Sequence, residues 1–547
     1  MSKEPVVVVG AGLSGLATAL GSAMRGCPVV VLEAADLVGG AAAYSGGQVW
    51  VGGNHVAARQ GIADDLGRTE RYVRGIAHHE PELLDEAAMK VWLSTSPEAI
   101  RYWEDVGAIR WTVIPGLIDY HSEVDGALGE GRYLTNEVID GSVLGEWRKR
   151  LRVSPYFPVG TTYAAMREGV RRVNSSATTP RDPHAFGVAT SGEASRADDG
   201  SDPLTFGTGV VAGFLARALS EPGIDIRTEH RVTKLLRGAD GHVIGVRVMA
   251  PDGQQDFLGR VVLATSTYDW DPELAEEMTG LTSEDFASIA PDSLRGDGIR
   301  LVREIGGAVA KIPATSVPML PGWRAPDGTV GYGPEFAKPH AIIVDRHGRR
   351  FCNDSYWPDL VAKTLDPNDP HLPIFLIWDE QHRKDYGLGT TLPGGDYPEG
   401  LVTSAPTLSD LAQRLGVDPG GLQRTVEEFN PHAEQGSDPL FGRGESDYVH
   451  RFYGDQSHLP NSVLGPITEA PFYGLRLRFV GTGIGSSGVS TDPYGRVRDE
   501  KGGVIPGLYA VGSCAALTAA GTGYNSGFAL GRGLTMAYLV SHKLCEE

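Results

Sequence analysis

Residues 5–33 read PVVVVGAGLSGLATALGSAMRGCPVVVLE, and the succession of strand, glycine turn, helix and second strand constrains the fold more than any other feature of the chain. Val6 to Val9 form an unbroken β-branched run that suits a strand buried on both faces of a parallel sheet. Leu13, Leu16, Ala17, Leu20 and Met24 then recur at helical spacing, and Gly10-x-Gly12-x-Ser14-Gly15 lies between strand and helix. The first glycine allows the tight turn, the second lets backbone reach a pyrophosphate, and the third allows close helix packing, with the phosphate charge on the helix N-terminus. The second strand ends in Glu33, where a carboxylate can accept from an adenosine ribose hydroxyl. This is the pattern of an α/β, Rossmann-like dinucleotide-binding domain.

At 547 residues the chain is long enough for two or three domains. A formal charge of -20, with no basic block to override it, opposes binding to nucleic acid. No apolar run approaches the roughly 20 residues of a membrane helix, so no transmembrane segment is expected. Cys27, Cys352, Cys514 and Cys545 are far apart and include no CxxC pair, which suggests neither a disulfide framework nor a zinc site. The start of the chain lacks the features of a signal peptide, and a reducing cytoplasm is the expected setting.

After Glu33 comes ADLVGGAAAYSGGQVW, in which Gly39, Gly40, Ser45, Gly46 and Gly47 offer backbone amides to a second phosphate and the far end of a long cofactor. Near the C-terminus IPGLYAVGS reads as a strand ending at Gly512, where backbone again approaches a diphosphate or ribityl chain. With these two regions in place the chain resembles the FAD-dependent fumarate reductase and 3-ketosteroid dehydrogenase superfamily. The resemblance covers both ends and fragments of the middle. It implies FAD bound between the two ends, with the Val232 backbone holding the adenine, Leu530 near the flavin, and LATST at 263–267 near the diphosphate, where the usual glycines are absent.

The expected organisation is an FAD-binding domain over residues 1–300, an inserted α+β substrate domain over 301–462, and the rest of the FAD-binding domain over 463–547. The first part carries a helical excursion at about 61–205, with a mobile loop at 174–203 that is rich in Ser, Ala, Gly, Pro and Asp. TGVVAGFLARAL reads as an amphipathic helix and IDIRTEHRVTKLL as a strand pair. GTGIGSSG at 481 fails as a second dinucleotide motif because no helix pattern follows it. His78, His79 and Glu80 lack HExxH spacing and read as a solvated helix face.

The chemistry is read from GTGYNSGFALGRG at 521–533. In fumarate reductases of the superfamily this stretch sets an arginine on a substrate carboxylate, and aligning Leu530 with the family's leucine puts Tyr524 in that place. A phenol cannot replace the paired, charge-assisted bonds of a guanidinium, so a dicarboxylate substrate is disfavoured. It can donate one bond to a ketone oxygen, and that bond strengthens as an enolate forms. In this respect Tyr524 and Gly527 are similar to the ketone-gripping tyrosine and glycine of 3-ketosteroid Δ1-dehydrogenases. The same resemblance nominates Tyr356, in GRRFCNDSYW, as the base that removes the α-proton, and Tyr120, in DYHSEVDG, as the group that lowers its pKa. The expectation is an FAD-dependent desaturase of a cyclic ketone, steroid or smaller, returning electrons to a quinone, oxygen or a dye. Two alternatives stay open, an ene-reductase of the corresponding enone and a non-catalytic flavoprotein.

Overall fold

The computed structural model describes residues 3–546 apart from 78–79, 158, 166–200 and 390. Most of the 174–203 loop, together with His78 and His79, therefore lies outside the described residues.

The N-terminal motif forms β1 (Val6–Val9), α1 (Leu13–Ala23) and β2 (Val29–Leu32). Four later strands complete one sheet, namely β3 (Ile224–Arg227), β4 (Arg260–Leu263), β5 (Arg496–Arg498) and β6 (Val504–Ala510), in the order β5-β6-β4-β1-β2-β3. All neighbours are parallel except β5 and β6. Val6 is paired with both Val29 and Arg260, so β1 is central, and Val6, Val7 and Val8 are fully buried. That is why this strand tolerates four consecutive valines with no alternation of polarity. The chain closes with α2 (Phe528–Glu546), which packs against α1 where Gly21 meets Ser541 and Gly533 meets Ser14. The sheet thus contains residues from both chain ends.

Three sequence expectations need correction. Ile224–Arg227 and Arg231–Arg237 are both strands but do not pair, since the first extends the parallel sheet and the second joins a three-stranded antiparallel sheet with Val243–Ala250 and Gly253–Leu258. The helix Phe206–Leu219 is not amphipathic, because every residue from Phe206 to Leu215 is buried, and Gly207, Gly209 and Gly213 let other segments approach it on several sides. Cys27 and Cys545 are bonded to each other, joining the end of the turn that follows α1 to the end of α2, a pairing across 518 residues that spacing gave no means to anticipate.

The inserted region holds two four-stranded sheets. One runs Ala341–Asp345, Ile374–Trp378, Phe472–Arg476, Thr403–Ala405, and the other Phe286–Ser288, Arg478–Gly481, Met319–Arg324, Val330–Tyr332. Their strands start at Phe286 and end at Gly481, so the hydrogen-bonded unit is wider than 301–462. Among the described residues no helix is long and apolar enough to cross a membrane, and no group of His, Cys, Asp and Glu could hold a metal ion. Two apolar cores, one shared between the helical excursion and one face of the inserted region and the other within the inserted region, meet at a seam where Tyr120, Tyr453 and Tyr524 pack against both.

Candidate active site

A single cavity of about 1490 Å³ runs from the β1–α1 turn to this seam. It exceeds the roughly 300–1,000 Å³ of a pocket for one drug-sized ligand, and it has room for a cofactor and a substrate together. At one end it is lined by Gly10, Gly12, Ser14, Glu33 and Val232. Gly10 has φ +108°, and a Cβ there would lie 2.4 Å from the Ala264 carbonyl oxygen, so this turn admits only glycine. No side chain caps the N-terminus of α1, where Gly12 is the capping residue, which leaves backbone N–H groups and the positive end of the helix dipole facing the cavity. On the opposite wall Gly512 has φ +63°, and a Cβ there would lie 2.6 Å from Ser14 Oγ. The two backbones therefore approach the same space with only the small Ser14 side chain against Gly512, and a dinucleotide pyrophosphate fits that cradle.

The Glu33 carboxylate accepts from the N–H of Ala11 at 2.8 Å and of Ala35 at 3.0 Å, fixing the turn as well as facing the cavity. Burial raises its pKa, and the backbone donors Ala35 and Ala11 oppose that shift. Gly40, Ser45, Gly46 and Leu530 also line the cavity. Gly15, Gly39 and Gly47 do not. A Cβ on Gly15 would meet the Gly10 carbonyl oxygen at 2.0 Å and one on Gly47 the Phe206 backbone at 2.3 Å, while Gly39, at φ +119°, donates its N–H to the Ala11 carbonyl. These three serve close backbone packing.

At the seam, Tyr524 lies on the cavity wall, and its hydroxyl has no hydrogen-bond partner among the described residues. Burial, then the nearby Tyr120, pushes its pKa well above the ordinary phenol value, so it is held as a neutral donor. Gly527, at φ +81°, also lines the cavity, and a Cβ there would meet the Trp50 nitrogen at 2.8 Å. Tyr120 faces the same space. Burial raises its pKa, whereas its hydroxyl contacts with Ser526 and Tyr448 favour the anion. The Tyr120 and Tyr448 rings are 4.3 Å apart, and Tyr448 also lines the cavity.

Tyr356 is differently placed. It does not line the cavity, and its hydroxyl lies 3.0 Å from His121 Nδ1 and 3.4 Å from the Tyr120 carbonyl oxygen. His121 Nε2 is 3.1 Å from the Tyr524 carbonyl oxygen, an acceptor only, so Nε2 carries a proton and the ring bridges Tyr524 and Tyr356. Tyr356 thus buttresses the segment on which Tyr120 and Tyr524 sit.

Residues 119–121 lie in the loop between the strands Trp111–Val113 and Tyr133–Asn136 and are fixed one by one. The buried Asp119 carboxylate accepts from Trp50 Nε1 at 2.7 Å, Arg132 Nη1 at 2.8 Å and the Leu128 N–H at 2.9 Å. Tyr120 donates its N–H to Asn525 Oδ1 at 2.9 Å, and His121 reaches Tyr524 and Tyr356 as described. Asn525 is fully buried, takes a second bond from the Tyr72 hydroxyl at 2.7 Å, and donates to the Tyr133 hydroxyl at 2.8 Å and the Ser526 carbonyl at 3.0 Å. The sequence reading missed Asn525, His121 and Tyr448. The Asn beside Tyr524 and the His beside Tyr120 were visible as neighbours, but nothing in the spacing joins positions about 400 residues apart.

Among known proteins, the chain is 31% identical to 4-oxocyclohexanecarboxylate 2-dehydrogenase of Sinomonas cyclohexanicum, over 100% of this chain and 93% of that one. It is 29% identical to a 3-oxosteroid 1-dehydrogenase of Mycolicibacterium smegmatis, over 98% and 96% of the two chains. In fold it is similar to the crystal structure of 3-ketosteroid delta1-dehydrogenase from Sterolibacterium denitrificans, with a TM-score of 0.85, 23% identity and full coverage of both chains. The sequence profile of the FAD binding domain family matches residues 5–531, the glycine cradle and the seam tyrosines fall within that span, and the chain belongs to this family of FAD-binding flavoproteins.

Proposed function

We propose that this protein desaturates a cyclic ketone between its α and β carbons, with FAD as the oxidant. The observation that carries the reading is the Tyr524 hydroxyl, a neutral donor on the cavity wall with no partner among the described residues, close in sequence to the glycine backbone at 527. A ketone oxygen held by Tyr524 and the Gly527 N–H gains most as charge builds on it, which acidifies the adjacent C–H. Tyr120 takes that proton, and Tyr448 donates to the resulting phenolate. The asymmetry between the two rings supports this order, since their contact lowers the pKa of Tyr120 and raises that of Tyr448. Tyr356 has a positioning role through His121. When bound, FAD supplies the acceptor for the β-hydrogen as hydride. The activities of the relatives, on 4-oxocyclohexanecarboxylate and on 3-oxosteroids, support a ring ketone as substrate.

The external electron acceptor would be a quinone, oxygen or an artificial dye. Anaerobic mixing of the yellow holoprotein with 4-oxocyclohexanecarboxylate, cyclohexanone and a 3-ketosteroid tests the reading. At least one saturated ketone should bleach the flavin and yield its enone. No bleaching by any of them, with ready reoxidation of reduced protein by enones, would assign the reverse reaction, and no response to either would make the protein non-catalytic.

A further inference from the structure

From the tyrosine seam the cavity wall continues past Tyr453, whose ring is 5.8 Å from that of Tyr448, to Gly454 and Asp455. Lys338 lines this end and is 4% exposed. An ammonium has three N–H donors to place. Nζ makes one hydrogen bond, to the Gly454 carbonyl at 3.3 Å, and forms no ion pair within 4 Å among the described residues. The Tyr386 ring lies 5.7 Å from it.

Most of the charged groups around it are engaged elsewhere. Asp455 accepts from Ser457 through Oδ1 and from the Tyr386 hydroxyl through Oδ2 at 3.0 Å. Glu335 Oε1 accepts from the Gly389 N–H, while its buried Oε2 has no hydrogen-bond partner among the described residues and forms no ion pair with Lys338; burial raises its pKa, which favours the neutral acid. Asp385 accepts from Gln381, His340 Nδ1 faces the Pro466 carbonyl, and Arg443 donates to the Lys338 carbonyl rather than competing for an anion in the cavity. His382 and His458 face backbone carbonyls through one ring nitrogen each. Arg451, exposed and on the same stretch of wall, adds a second positive group.

A buried ammonium with donors to spare, facing a cavity and lacking a bonded protein anion, is incomplete as a structural ion pair. We propose that Lys338 is a specificity residue that binds a carboxylate on the substrate, at the pole of the ring remote from the ketone. This rests on the ketone-desaturase reading and narrows the substrate to a monocarboxylated cyclic ketone. Tyr524 holds one end of such a molecule through a neutral bond and Lys338 the other through a charge. The absence of a guanidinium from the ketone pole and the presence of a cation at this one then have a common explanation.

The test uses FAD-loaded protein and two ligands that cannot be oxidised as ketones, cyclohexanecarboxylate and the near-isosteric cyclohexanecarboxamide, with binding followed by calorimetry and by the flavin absorption band. A charge-assisted bond to a buried cation should favour the acid by about 10- to 100-fold. Lys338→Met should remove that preference, and Lys338→Arg should keep part of it. Equal affinity of the parent for acid and amide overturns the proposal, as does an undiminished preference in Lys338→Met. If Lys338→Met does not load FAD, Arg451→Met decides, since loss of the acid preference in that variant assigns the carboxylate to Arg451 and overturns the proposal, whereas its retention supports Lys338. Binding is measured without turnover, so a failed desaturase reading, in which acid is preferred but no ketone bleaches the flavin, is distinct from a failed carboxylate site, in which ketones bleach it without regard to charge.

Discussion

Replacing Asn525 by alanine removes the acceptor of the Tyr72 hydroxyl and of the Tyr120 N–H, and the donor to the Tyr133 hydroxyl. Tyr72 is 0% and Tyr133 1% exposed, so solvent cannot substitute readily. Each buried donor left without a partner costs about 1–3 kcal/mol, and with two such donors the loss is roughly 2–6 kcal/mol before the site relaxes. At about 2–4 °C per kcal/mol for chains of 150–250 residues, and less for a longer one, the melting point should drop by roughly 5–10 °C. Tyr120 also loses its backbone tether, and a displacement near 1 Å at a reacting group lowers rates about a hundredfold. Tyr133→Phe gives a graded control, because it removes one arm of the network and leaves the Tyr120 tether in place. It should cost about 1 kcal/mol and leave reduction close to the parent rate. Flavin fluorescence reports the melting point, and stopped-flow absorbance reports flavin reduction by 4-oxocyclohexanecarboxylate. An Asn525→Ala protein that melts within about 2 °C of the parent and reduces its flavin within about threefold would refute the claim that Asn525 orders the site.

Other outcomes follow from the same geometry. Gly512→Ala combines a strained φ with a Cβ 2.6 Å from Ser14 Oγ, and should lower FAD affinity at least about tenfold, as read by flavin content after dialysis. Tyr120→Phe should slow flavin reduction by about a hundredfold or more. Tyr356→Phe, which loses the bond to His121 and the longer contact with the Tyr120 carbonyl, should slow it less than about tenfold, and a larger loss for Tyr356→Phe than for Tyr120→Phe would restore Tyr356 as the base. Burial pulls the Lys338 pKa down to about 8, partly offset by Asp455 and Glu335, so its charge is present below that pH and lost above it. Affinity for cyclohexanecarboxylate should be level near neutrality and fall by about tenfold per pH unit above pH 8, whereas affinity for the carboxamide should not change over that range.

The nucleotide end of the molecule was legible because its signal is local. Gly10, Gly12, Gly15 and Glu33 lie within 24 residues, and backbone geometry alone decides which residue type each position accepts. Even there, residue type did not separate glycines that face the ligand from those that face other backbone, as Gly15 and Gly47 show. The sequence singled out Tyr524 because it stands where a cation would otherwise be expected, and the residue lines the cavity. Tyr448 and Asn525 were not, since their partners Tyr120 and Tyr72 are supplied by folding over hundreds of residues. The Tyr356 role inferred from resemblance was a matter of register. Two positions separate it from the family's tyrosine, and Trp357, the next residue, lines the cavity instead. The helix Phe206–Leu219 was misread because glycines at 207, 209 and 213 look weakly apolar in sequence yet mark faces closed by neighbouring segments.

The central claim is that Tyr524 is a hydrogen-bond donor to the substrate ketone. Tyr524→Phe keeps the ring, its packing against Trp357 and Phe528, and the backbone carbonyl that His121 holds, and removes only the hydroxyl. Loss of one such donor costs roughly 2.7–4 kcal/mol at the transition state, about a hundredfold to a thousandfold in rate. Stopped-flow reduction of the bound flavin by saturating ketone, with flavin content checked in each sample, is the direct measurement. The account predicts a rate lower by at least about a hundredfold with FAD content unchanged. A Tyr524→Phe protein that holds its FAD and reduces it within about threefold of the parent rate would contradict it.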